Sequence, residues 1–173
     1  MRWLLPVLLV ALAGCSRPPA STGRPDPGRL NSGLPNPGLP NPTLTPGRTT
    51  NATREDICKP GYTRKVRSVS ESLKRRIYSS YGRTRQKGVC CEVDHLIPLE
   101  LGGANSKENL WPQPWNGDPA RNHPDAKQWG AKEKDQLENR LHRLVCSGKL
   151  DLPTAQQAIA HDWVAAWEIY VRK

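Results

Sequence analysis

Residues 92–113 read EVDHLIPLELGGANSKENLWPQ, and the parsing of this stretch decides the fold. Val89 to His95 alternates loosely and is rich in Val and Cys, as a strand is, and Asn109-Leu110-Trp111 supplies a short partner. Between them Gly102, Gly103 and Asn105 provide turn chemistry. Asp94 and His95 fall at the end of the first strand, with Asn109 fourteen residues beyond the histidine.

Outward from this hairpin the chain reads as helices. On the N-terminal side Val69, Leu73, Ile77 and Tyr81 recur every four residues, Ser68 and Glu71 are spaced as a capping box, and Gly82 is a stop. On the C-terminal side Pro112, Pro114, Pro119 and Pro124 predict an irregular loop. A helix is then predicted from about Ala126 to Cys146, with Leu137, Leu141, Leu144 and Val145 on one face and Gly148 past its end. A last helix has Pro153 in its first turn and buries Ile159, Trp163, Ala166, Trp167 and Tyr170. The order predicts a small α+β domain: a ββα unit flanked by an N-terminal and a C-terminal helix.

The first fifty residues are a different material. MRWLLPVLLVALAGCS carries one positive charge, an apolar run too short to span a bilayer comfortably, and the tetrapeptide Leu12-Ala13-Gly14-Cys15. This tetrapeptide resembles the lipobox of bacterial lipoproteins, which implies cleavage before Cys15, lipidation of its thiol and attachment to the cell envelope, facing the periplasm or the exterior. An ordinary secretory signal is the alternative. Residues 16–48 contain nine prolines and the repeat Gly33-Leu-Pro-Asn-Pro, Gly38-Leu-Pro-Asn-Pro. They read as a polyproline-like tether, with a reach of roughly 100 Å at about 3.1 Å per residue. The expected organisation is a signal peptide over 1–14, lipidated cysteine and tether over 15–54, and a folded domain over 55–173, acting as a monomer.

Export gives an oxidising setting for Cys58, Cys90, Cys91 and Cys146, so two disulfides are expected. A direct bond between the adjacent Cys90 and Cys91 is strained, which favours each pairing with a distant partner, Cys58 or Cys146. No CxxC or CxxH pair supports a zinc site.

Loss of residues 1–14 leaves 25 basic against 16 acidic side chains, a net +9. Between Lys59 and Lys87 there are ten Lys and Arg and one acid, Glu71. Such density suits a polyanion partner, with DNA or RNA the first expectation and anionic lipid or simple solubility the alternatives. Arg64, Lys65, Arg67, Lys74, Arg75 and Arg76 are the candidate phosphate contacts, together with Lys134 on the helix after the hairpin.

Phosphodiester hydrolysis needs a base for water, a cation for the developing charge and a group that orients the base. His95 can take the water proton, Asp94 can offer a hard oxygen to Mg²⁺, and Asn109 can orient the imidazole or brace its loop. Val93-Asp-His-Leu-Ile-Pro-Leu-Glu-Leu-Gly-Gly with Glu108-Asn-Leu-Trp-Pro resembles the core of HNH endonucleases of the His-Me finger superfamily. Cys58-Lys-Pro-Gly-Tyr, Lys134-Asp-Gln-Leu-Glu and Leu141-His-Arg-Leu-Val-Cys146 extend the resemblance to a bacterial secreted group, over roughly residues 56–170. The resemblance implies a metal-dependent endonuclease with His95 as general base, Asp94 as metal ligand and Asn109 as a structural asparagine. It implies one divalent cation, Mg²⁺ first, with Mn²⁺, Zn²⁺ or Ni²⁺ as alternatives. The sequence departs from the pattern near Ala131, which has no ligating atom where many such proteins place a third ligand; Asn116, His123, Glu138 and Glu92 are the candidates to replace it. The rival expectation is a non-catalytic lipoprotein that binds nucleic acid or envelope polymers through a degenerate HNH frame.

Six tryptophans invite a base-stacking role, for which only Trp111, Trp115 and Trp129 lie near the site; core packing is the favoured reading for them. His142 and His161 lie on predicted helices as ordinary side chains.

Overall fold

The computed structural model describes residues 38–84, 91–115 and 129–172. The expected signal peptide, Cys15, the first copy of the repeat, Cys90, Asn116 and His123 lie outside the described residues. Five helices and one hairpin follow in order: α1 (Arg54–Ile57), α2 (Tyr62–Val66), α3 (Glu71–Ser80), β1 (Cys91–His95), β2 (Leu110–Pro114), α4 (Ala131–Cys146) and α5 (Leu152–Tyr170). The architecture is α+β, with a two-stranded antiparallel sheet.

The strands pair Glu92 with Gln113 and Asp94 with Trp111, so these four side chains share one face. β2 runs through Pro112 and Pro114, where the sequence predicted an irregular loop. Both prolines sit opposite Val93 and Cys91, positions at which the ladder asks no N–H of them. α3 is capped by Ser70, whose hydroxyl accepts from Leu73 N at 3.2 Å. The helix therefore starts two residues later than the Ser68 cap predicted. Tyr78 on α3 donates to Cys91 O at 2.6 Å and fastens that helix to β1.

α4 and α5 build the core with the hairpin loop. Leu137, Leu141 and Val145 of α4 meet Ile159, Trp163 and Ala166 of α5, over Leu96, Ile97, Leu101 and Trp111. Asp162 interrupts α5 with φ −158° and ψ 93°, and its Oδ1 accepts from Val164 N and Ala165 N at 3.0 and 2.9 Å. It acts as an N-cap inside what sequence periodicity reads as one helix.

The folded unit begins earlier than residue 55. The Gly38 carbonyl accepts from Trp163 Nε1 at 2.7 Å, and Thr45 Oγ1 donates to Leu110 O at 3.0 Å and lies 2.7 Å from the Tyr81 hydroxyl. Gly47 N reaches Glu108 O, Thr50 N reaches Gly102 O, and Thr49 bridges Gly103. Residues 38–54, assigned to the tether by composition, are thus part of the domain. They bind through backbone groups and the hydroxyls of Thr45 and Thr50, which composition does not register.

The disulfide pairing also differs from expectation. Cys58 is bonded to Cys146, tying the end of α1 to the end of α4, so neither is available to Cys90 or Cys91. Cys91 is itself disulfide-bonded, to a partner outside the described residues. Among the described residues no helix is long and apolar enough to cross a membrane.

Candidate active site

The hairpin loop is held open by Asn109, which is completely buried. Its Oδ1 accepts from Ile97 N at 2.9 Å and Arg48 N at 3.3 Å; its Nδ2 donates to Ile97 O at 2.9 Å and Ala104 O at 3.0 Å. Every bonding direction of the carboxamide is spent on backbone. Asn109 is the brace of the loop and does not touch the imidazole. Gly103 allows this close approach, because a Cβ there would lie 1.8 Å from Ile97 O and 2.9 Å from Asn109 Nδ2. Gly102, at φ +74°, makes the turn.

His95 closes β1 and is 4% exposed. Its Nε2 lies 3.0 Å from Asn105 Oδ1. The carboxamide of Asn105 is oriented by two backbone groups: Nδ2 donates to Val66 O at 2.8 Å, and Oδ1 also accepts from Ser68 N at 3.4 Å. Since that oxygen only accepts, Nε2 carries the proton and Nδ1 of the neutral ring keeps its lone pair. Nδ1 has no hydrogen-bond partner among the described residues. Burial holds the His95 pKa below its ordinary value, against the opposing pull of Asn105 and Asp94. The imidazole is therefore neutral at pH 7, as a base must be. Asn105 was read from sequence only as a turn residue.

Asp94 points to the other face, where Lys134 of α4 meets it. Lys134 is 1% exposed, and its Nζ donates to Asp94 Oδ2 at 2.7 Å, to His95 O at 2.6 Å, and to Glu138 Oε1. This corrects its assignment as a nucleic-acid contact, since all three N–H groups are used inside the protein. Burial alone would lower the Lys134 pKa, but the carboxylates of Asp94 and Glu138 hold it above the ordinary lysine value. Glu138, a candidate ligand from sequence, is the second partner of this ammonium; burial pushes its pKa up.

More acid surrounds this ion pair than one ammonium neutralises. Burial and the charges of Asp94 and Asp135 push Glu92 up to about 7. Asp135 is raised too, by burial and by Asp94. Gln113, opposite Glu92, is 1% exposed, and neither of its side-chain polar atoms has a hydrogen-bond partner among the described residues.

Of the basic candidates, Arg64, Lys65, Arg75 and Arg76 are exposed and Lys74 pairs with Glu71 at 2.9 Å. Arg67 is exposed, makes no ion pair among the described residues, and lies close enough for its charge to lower the pKa of both His95 and Glu92. A cavity of about 720 Å³ between α1 and α2 is rimmed by Lys59, Arg64 and Lys65, and its wall includes Val66, the residue that anchors Asn105. Trp111 is in the core, Trp129 packs edge-on against Trp163 and Trp167, and Trp115 is exposed at the end of β2.

The only described group of three His, Cys or carboxylate side chains with ligand atoms mutually within 4.8 Å is Cys58, His142 and Cys146. Its sulfurs are joined in the disulfide and offer no thiolate. At Asp94, where the resemblance implies a divalent cation, Oδ2 is bonded to the Lys134 ammonium, which puts a positive charge where the cation would stand. The residues present do not fit a metal there.

No protein-family model matches the chain, and no curated protein or solved structure matches it.

Proposed function

We propose that the chain is an exported, lipid-anchored nuclease of the His-Me finger type, hydrolysing phosphodiester bonds of DNA or RNA with little sequence specificity. The observation that carries this reading is the Asn105-fixed, neutral imidazole of His95, with Nδ1 as the only basic nitrogen. His95 Nδ1 accepts a proton from water as that water attacks phosphorus; the P–O bond to the leaving sugar oxygen breaks, and that oxygen takes a proton from solvent. Arg67 beside it supplies positive charge to the phosphate oxygens. Asn109 keeps the loop carrying Asn105 in place through Ala104. Arg64 and Lys65 continue the basic surface away from the site and hold backbone phosphates, which gives salt-sensitive affinity without base readout.

A second reading is favoured by one observation: His95 shows only 4% of its surface, so a domain that binds nucleic acid without cutting it fits the same frame. The chain from residue 16, with both disulfides formed, separates the two when incubated with plasmid DNA and with RNA. Cleavage that falls about 10²-fold or more in His95→Ala supports the nuclease. Equal cleavage by His95→Ala removes the assigned mechanism, and salt-sensitive retention without any cleavage supports the binding module.

A further inference from the structure

The ammonium of Lys134 sits in a cage of three oxygens: one from each carboxylate of Asp94 and Glu138, and the backbone carbonyl of His95. Two carboxylates and a carbonyl are a donor set that hard divalent cations take. Here the set is filled from within. An ammonium has three N–H donors, and each finds one of these oxygens. The group is 1% exposed and tethered through its own side chain to α4, so it does not exchange with solvent ions. A divalent ion at Asp94 Oδ2 would stand within a few ångströms of this positive charge, and like charges that close repel in a poorly solvated site.

We infer that Lys134 takes the place of a divalent cation at Asp94, as a covalently attached counter-ion, and that this chain binds no metal through that carboxylate. The same ammonium holds the backbone of His95 by its carbonyl and the preceding side chain by its carboxylate. Lys134 is therefore a positioning residue: it fixes the end of β1, from which the imidazole projects, against α4. The surplus acid on this face, Glu92 and Asp135, is left to repel Asp94 and each other, and this is expected where one positive charge replaces two. For the nuclease reading, on which this one consequence rests, cleavage does not depend on a cation held by Asp94. The cation-binding statement holds whether or not the chain cleaves.

The experiment is a titration of the disulfide-intact chain with Mn²⁺, following free Mn²⁺ by its electron paramagnetic resonance signal and the fold by thermal unfolding. The wild type is expected to show no stoichiometric site that Asp94→Asn removes. Lys134→Ala empties the cage while leaving its oxygens, and is expected to gain one Mn²⁺ per chain together with a rise in Tm on Mn²⁺ addition. Both gains vanish in Lys134→Ala combined with Asp94→Asn. Lys134→Met refills the space with an apolar chain and is expected to gain neither. A wild-type chain that binds one Mn²⁺ and loses it in Asp94→Asn overturns the inference, and this comparison does not depend on the Lys134 variants folding. A folded Lys134→Ala that takes up no Mn²⁺ overturns it equally.

Discussion

Asn105 decides which nitrogen of His95 is basic. Its Oδ1 accepts from Nε2 at 3.0 Å while its Nδ2 is anchored on Val66 O at 2.8 Å, so the carboxamide cannot turn to donate to the ring without losing its backbone bond. The proton stays on Nε2 and the lone pair on Nδ1. Asn105→Ala releases the tautomer. For the proposed nuclease the expected result is a fall in cleavage of about 10²-fold, near the lower limit of a general base's contribution. Stability should drop by no more than about 2 kcal/mol. The ¹⁵N chemical shifts of His95 report the cause directly: mixed tautomers in the variant, one in the wild type. Unchanged shifts with lost activity would mean that Asn105 acts some other way.

His95 titrates below the ordinary histidine pKa because it is buried. The unfolded chain takes up this proton near pH 6.5, the folded chain only at lower pH. Stability from keeping the ring neutral is thus complete above pH 6.5 and is lost as pH falls below it through the depressed pKa. Replacing the ring by His95→Gln removes this loss, so the Tm difference between pH 7 and pH 5 should be smaller in the variant than in the wild type. The acidic limb of the pH–rate profile should also fall below pH 6.5. A limb above 6.5 would show that another group controls the rate.

The hairpin was legible because its signals are local. Val93-Asp-His at a strand end, Gly102-Gly103 at a turn and Asn109-Leu-Trp at the returning strand each depend on neighbours in sequence. The contacts that finish the site are not local. Lys134 is forty residues from Asp94, and lysine is a residue that composition assigns to the surface. The available signal was position: Lys134 stands three residues before Leu137 and seven before Leu141, on the buried stripe of α4. Asn105 is hidden for the opposite reason, since Asn after Gly-Gly is sufficiently explained as a turn residue. The N-terminal error came from composition, because Gly38 and Thr45 join the domain through a carbonyl and a single hydroxyl. Adjacency misled the reading of the cysteines: it favoured Cys58 and Cys146 as the partners of Cys90 and Cys91, whereas Cys58 pairs with Cys146 because α1 and α4 end together.

Asn109→Ala tests the brace. The substitution leaves Ile97 N and O and Ala104 O without their partner in a site closed to water. The expected loss is about 3 kcal/mol, the cost of stranding two or three buried backbone groups. The urea midpoint measures it. Asn109→Asp keeps the acceptor for Ile97 N but turns an acceptor toward two carbonyls, so it should be no better tolerated. A loss below about 1 kcal/mol for Ala would mean that the loop is held by Arg48, Thr50 and Gly47 instead.

The Cys58–Cys146 bond closes a loop between residues 88 positions apart. Constraint of the unfolded chain by a loop of this length corresponds to about 4 kcal/mol. The double variant Cys58→Ser with Cys146→Ser should lose about that much in chemical denaturation. Reduction of the wild type by dithiothreitol also opens the Cys91 disulfide and should lower the midpoint at least as far. A double variant as stable as the oxidised wild type would place the strength of the α1–α4 junction in other contacts, of which Arg54 Nη2 to Cys146 O at 3.1 Å is one.

Glu92 is destabilising when ionised, and pH exposes it. Burial, Asp94 and Asp135 hold its carboxyl protonated up to about 7 in the folded chain, whereas the unfolded chain ionises near 4.5. The unfolded state therefore gains from ionisation first, and folding stability falls as pH rises from 4.5 through about 7. Glu92→Gln keeps the shape and removes the titration. It should match the wild type at pH 4 and exceed it at pH 8 by about 1 kcal/mol, a value reduced from the full shift because the side chain is partly open to solvent. Asp135→Asn, which removes one of the two repelling charges, should recover part of the same gain in thermal unfolding at pH 8. If Glu92→Gln is no more stable than the wild type at pH 8, Arg67 and Lys134 already neutralise the carboxylate, and the surplus of acid on this face is not a cost to the fold.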